Sequence, residues 1–206
     1  MPLEDSLIAR GCWPLCGVDE AGRGPLAGPV VAAAVIMEPG HELRLVVRDS
    51  KQLHPFRRER IFDAIMSSPD IFVGFSLVDE RYIDEMNILK AALRAMREAV
   101  LNLEQRPLCA IVDGNIAPEL PCTCLTVVRG DETEPSISAA SIVAKVIRDR
   151  HMEQMDRLYP GYGFAQHKGY PTRDHFEALR RLGACPIHRR SFRGVPSIDP
   201  GKGLEE

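Results

Sequence analysis

Two kinds of apolar periodicity alternate along this chain, and their order is what most limits its fold. Residues 12–18, 29–37 and 71–78 are short apolar or alternating runs bounded by turn-forming or charged residues, the pattern of strands. At 87–103 the period changes: Leu89, Leu93, Met96, Val100 and Leu103 recur at helical spacing. The segments LCAIVDG (108–114) and CTCLTVV (122–128) return to strand character. Pro135 then opens a helix reaching about Leu158, because proline is tolerated in a first helical turn. Ile137, Ala140, Ala144, Ile147, His151, Met155 and Leu158 mark one face of it. Shorter helices are predicted over 55–67, with Ile61, Phe62 and Ile65 inward, and over 173–181. Residues 38–50 read as a loop. This order predicts an α/β layer on a mixed sheet whose first strands are antiparallel.

A chain of 206 residues fits one domain, expected over 1–196, with 197–206 a disordered tail. No apolar run approaches the roughly 20 residues of a membrane span. The N-terminus, MPLEDSLIARG, is acidic where a signal peptide would be basic, so the expected location is cytoplasmic. Neither the Cys12/Cys16 nor the Cys122/Cys124 spacing is that of a zinc ribbon; the six cysteines are expected reduced and mostly buried. A net charge of −3 argues against nonspecific coating of nucleic acid. From Lys145 to Arg193, however, 11 Lys and Arg face 5 Asp and Glu, which permits a local anion-binding face as well as a plain solvated surface.

Four acids stand out by position. Asp19 and Glu20 end the first predicted strand, Asp113 ends the fourth, and Asp131 lies between the fifth and the Pro135 helix. Any one of them alone is most simply a turn or cap residue. Together they lie where open α/β sheets gather ligand sites. Converging carboxylates repel and stay ionised only with cations beside them, and hard oxygen donors of this kind suit Mg²⁺ or Mn²⁺. Two such ions about 4 Å apart support phosphodiester hydrolysis.

The loop AGRGPLAGP follows the first acidic pair directly. Its glycines permit close backbone approach, and consecutive N–H groups can hold a phosphate or a sugar hydroxyl, although a tight turn is the default. The Walker pattern G-x-x-x-x-G-K-[ST] is absent. The small residues of SISAASIVAKV suit close helix–sheet packing. Tyr162, Phe164 and Tyr170 could meet a nucleotide or cover the edge of the core.

Taken together, these segments resemble the type 2 ribonuclease H family, specifically bacterial ribonuclease HII. The resemblance runs from about residue 15 to 192. It is carried by GVDEAGRGPLAGPVVAAAV, DSKQL (49–53), NILKAALRAM, IVDGN, SISAASIVAKVIRDR and YPGYGFAQHKGYPTRDH, in that order. It implies a ribonuclease H-like fold: a five-stranded mixed sheet flanked by helices, with a small C-terminal helical part. It implies a metal-dependent endonuclease, using Mg²⁺ or Mn²⁺, that cleaves the RNA strand of RNA–DNA hybrids. Such an enzyme also incises 5′ of single ribonucleotides in duplex DNA, leaving 3′-hydroxyl and 5′-phosphate ends, as ribonucleotide excision repair requires. By the same match the metal ligands are Asp19, Glu20, Asp113 and Asp131. Gly22, Arg23 and Gly24 read the ribose, Tyr170 stacks by the ribonucleotide, and Lys51 contacts a phosphate. A monomer acting on nucleic acid, with no membrane, is expected. One departure stands out: where the family carries GD-x-K, this chain has GDETE, with Thr133 in place of the lysine between Glu132 and Glu134. That exchange would put negative charge near the metals.

Overall fold

The computed structural model describes residues 2–47 and 54–196. Five strands form one mixed sheet: β1 (Leu15–Ala21), β2 (Val30–Met37), β3 (Ile71–Val78), β4 (Cys109–Asp113) and β5 (Thr123–Val127). Their order across the sheet is β3-β2-β1-β4-β5. β2 pairs antiparallel with both β1 and β3, while β4 lies parallel to β1 and β5 parallel to β4. The expected α/β class and mixed sheet are therefore present.

Two long helices cover the two faces. α5 (Ile88–Leu101) packs Ala91, Ala92, Ala95, Met96, Ala99 and Val100 onto Cys16, Val18 and the even-numbered residues of β2. α7 (Pro135–Leu158) packs Ala139, Ala140, Ile142, Val143, Ala144 and Val146 onto the odd-numbered residues of β2, with α3 (Pro55–Ser67) alongside. β2 is thus buried on both sides, as its unbroken apolar sequence requires. Two strand glycines let the helices come close. A Cβ on Gly17 would lie 2.2 Å from the Ile137 nitrogen, and one on Gly74 would lie 2.2 Å from the Ala99 carbonyl oxygen.

Smaller elements complete the chain: α1 (Leu3–Ala9), α2 (Leu43–Val46), α4 (Glu80–Met86), α6 (Gly130–Thr133), α8 (Phe164–His167) and α9 (Arg173–Leu182). α2 falls in the stretch expected to be loop. α8 and α9 form the small C-terminal helical part, over a cluster that includes Leu26, Met152, Tyr162, Phe164 and Leu179. All six cysteines are free; Cys16, Cys109 and Cys185 are buried and the other three half-buried. No helix among the described residues is long and apolar enough to cross a membrane. The 197–206 tail and the DSKQL segment, including Lys51, lie outside the described residues.

Two expectations need correction. The first strand spans Leu15–Ala21, not 12–18, so Asp19 and Glu20 sit inside the ladder, paired with Ala33 and Ala32 of β2. Pro14, without an N–H, delays the start of pairing. In the second half of α7 the inward residues are Arg148 and Met152, while Leu158 is exposed and Ile147 and His151 are only half-buried. There the helix leaves the sheet and packs on loop carbonyls, so its inward face is partly polar.

Candidate active site

The register of β1 against β4 builds the centre of the site. Val18 pairs with Val112 in parallel, so Asp19 and Asp113 occupy the next rung of neighbouring strands, about 5 Å apart along the backbone. Alternation sends Leu15 and Gly17 of β1, and Cys109 and Ile111 of β4, toward α7, and Asp19 and Asp113 share that side. Asp19 is buried; its Oδ1 accepts the Glu20 N–H at 2.7 Å, and the Ser141 hydroxyl of α7 also hydrogen-bonds to it. Burial, then the charges of Glu20 and Asp113, hold its carboxyl well above the usual carboxylate range. Burial also raises Glu20. The Arg23 guanidinium, 3.2 Å away, pulls it down, and Asp113 adds to the rise.

Asp131 joins from the other side of the chain. Asp113 Oδ1 accepts the Gly130 N–H at 2.7 Å, which ties the end of β4 to the residue preceding Asp131. Arg129, at φ 58, turns the chain into α6, and Asp131 is buried there. A cleft of about 400 Å³ opens beside these groups, lined among others by Glu20, Arg23, Asp131, Ser141, Lys145 and Tyr170. Asp19 and Asp113 are not on its wall. Among the described residues no three His, Cys, Asp or Glu side chains are already arranged around one point as for a metal ion. The donor set nevertheless fits a hard divalent cation: its oxygens are carboxylate, and the negative charge that burial, then Glu20 and Asp113, make costly on Asp19 is what such a cation offsets.

The glycine loop and Tyr170 meet at this cleft. Gly22, at φ 99, has Arg148 Nε 2.1 Å from where a Cβ would stand, so only glycine fits. The Cβ position of Gly24 is 3.9 Å from the Tyr170 ring, which brings together residues far apart in sequence. Tyr170 is 40% exposed, with Lys145 Nζ and the Arg148 guanidinium each 5.8 Å from its ring centroid. The alternative for Tyr162 and Phe164 holds: both are buried in the C-terminal cluster.

The GDETE departure does not add loose negative charge at the acids. Glu132 pairs with Arg129 at 2.6 Å. Glu134 is buried and turned to α1, accepting the N–H groups of Leu3 (3.2 Å) and Glu4 (2.8 Å). Sequence reasoning missed Ser141, Lys145 and Arg148. Ser141 and Lys145 carried a faint signal, one helical turn apart on the helix that follows Asp131.

Comparison with known proteins places the chain in a family. The family model described as Ribonuclease HII matches residues 16–195. The chain is 50% identical over 192 residues to a ribonuclease HII of Geobacter sulfurreducens, covering 93% of this chain and 88% of that protein. It is 50% identical over 182 residues to one of Maricaulis maris, covering 88% and 82%. The crystal structure of ribonuclease H2 from Pyrococcus horikoshii superposes with a TM-score of 0.74 at 32% identity, covering 88% of this chain and 94% of that one. The chain therefore belongs to the ribonuclease HII family and is an endonuclease acting on RNA.

Proposed function

We propose that this cleft cleaves the RNA strand of RNA–DNA hybrids and incises 5′ of single ribonucleotides embedded in duplex DNA. The products carry 3′-hydroxyl and 5′-phosphate ends, and the reaction depends on Mg²⁺ or Mn²⁺. The observation that supports it most is the rung shared by Asp19 and Asp113, with Asp131 tied in through Gly130. Asp19, Glu20, Asp113 and Asp131 would hold the ions. When bound there, such ions would supply Lewis-acid activation of a water and charge stabilisation of the leaving oxygen. Arg23 offsets the charge of Glu20 at the rim of the cleft. The backbone of residues 22–24 faces the ribose, whose 2′-hydroxyl distinguishes RNA from DNA, and the Tyr170 ring stacks beside it. Lys145, on the cleft wall, draws the phosphate backbone in. In this reading residues 1–196 act as one domain and one monomer, in the cytoplasm, within ribonucleotide excision repair.

The test is a panel of end-labelled duplexes: an RNA–DNA hybrid, DNA with one ribonucleotide, and all-DNA, each with Mg²⁺, Mn²⁺ or chelator. Nicks 5′ of the ribonucleotide bearing 3′-hydroxyl ends, only with metal, are expected. Binding without nicking, or cutting of all-DNA at an equal rate, would refute the proposal.

A further inference from the structure

The tightest polar construction near the cleft is not among the acids. The Arg189 guanidinium has no exposed surface and donates to four carbonyls of one loop. Nη2 reaches Gly22 O at 2.6 Å; Nη1 reaches Arg23 O at 3.1 Å and Pro25 O at 2.7 Å; Nε reaches Gly28 O at 2.9 Å. A second buried guanidinium, Arg148, takes the far end, donating to Ala27 O, Pro29 O and Lys168 O. Arg148 thus joins this loop to the segment that bears Tyr170.

The geometry has a consequence for the ligand side. In a trans peptide the C=O of one residue and the N–H of the next point opposite ways. Drawing the Gly22 and Arg23 carbonyls inward turns the Arg23 and Gly24 N–H groups outward, toward the cleft that both residues line. Neither N–H finds a backbone acceptor among the described residues. A planar five-donor fork can hold four carbonyls at once; an ammonium on a flexible stem cannot.

We infer that Arg189 is a positioning residue for ribonucleotide recognition: from inside the fold it fixes the outward aim of the Arg23 and Gly24 amides at the inspected sugar. The inference rests on the proposed reading of residues 22–24. Arg189 touches no substrate and acts only through the loop. Burial, with Arg148 close by, brings its guanidinium down to about 9, so it stays charged at neutral pH with carbonyl dipoles as its partners.

The experiment compares affinity for two duplexes of one sequence, one all-DNA and one with a single ribonucleotide, in Ca²⁺ to suppress cutting. Wild type should prefer the ribonucleotide duplex. In Arg189→Lys that preference should fall by at least about tenfold, the worth of two mis-aimed hydrogen bonds. Its affinity for the all-DNA duplex should be unchanged, which a general loss of structure would not spare. If Arg189→Lys does not fold, amide hydrogen exchange in wild type decides. The Arg23 and Gly24 amides should be protected by the ribonucleotide duplex beyond the all-DNA one. A folded Arg189→Lys that keeps the preference, or equal protection by both duplexes, overturns the role of Arg189. A wild type without preference overturns the reading beneath it, and the inference with it.

Discussion

Asp19 carries an unfavourable combination: it is buried, adjacent to Glu20 in the chain and on the same rung as Asp113 of the neighbouring strand. Such a cluster trades stability for function. Asp113→Asn tests the trade cleanly, because the amide oxygen can still accept the Gly130 N–H while one charge disappears. Without metal the variant should melt roughly 2–4 °C higher, the shift expected for relief of about 1 kcal/mol in a chain of this size. Calorimetry in chelator checks it. The four acids were singled out because they lie at or just past predicted strand ends, although Asp19 and Glu20 prove to sit inside the β1 ladder. Arg148 and Arg189 were not: arginine is almost always a surface residue, and nothing in an isolated sequence shows that carbonyls from a distant loop will surround it.

At the scale of elements, the ends of α1 and α7 satisfy each other. Glu134 caps α1 through Leu3 and Glu4, and Glu4 accepts the Ser136 N–H at 3.0 Å and its hydroxyl at 2.8 Å while pairing with Arg44. Glu134→Ala leaves two buried-end donors of α1 without this acceptor and should cost about 1–2 kcal/mol. Thermal melting should show that loss, while the incision rate at 25 °C stays within about twofold. α5 and the first half of α7 were readable by period. The seven-residue α1 and α4 were not, since each is held by a cap from elsewhere or by Asp79 rather than by an apolar stripe. The second half of α7 misled because its inward face includes Arg148, which a count of apolar residues passes over.

For the molecule as a whole, the mixed sheet with its antiparallel first strands followed from the sequence of periodicities, but the strand order and the histidines that join the C-terminal part did not. The Cys185 N–H donates to His188 Nδ1 at 2.9 Å, so His188 Nε2–H donates to His175 Nε2 at 3.0 Å. His175 Nδ1–H then reaches the Tyr170 carbonyl at 2.9 Å. Burial, then His175, pushes His188 down to about 4, and burial lowers His175 as well. The folded state thus holds His188 neutral where the unfolded chain, at about 6.5, takes a proton. Its contribution is complete above about pH 6.5 and is lost as pH falls toward 4. Asp19 and Glu20, held above their ordinary values, work in the opposite direction, so the comparison is with His188→Gln at each pH. Wild type should lose more melting temperature than the variant between pH 7 and pH 5.

The central claim is that one set of carboxylates, gathered by the β1–β4 register, holds the metal that cuts. Incision 5′ of a single ribonucleotide, followed against Mn²⁺ concentration for wild type and Asp113→Asn, tests it most directly. Wild type should saturate with metal and stop in chelator, and the variant should bind the duplex yet incise at least about a thousandfold more slowly at every concentration. Incision by Asp113→Asn at the wild-type rate, or by wild type without metal, would contradict it.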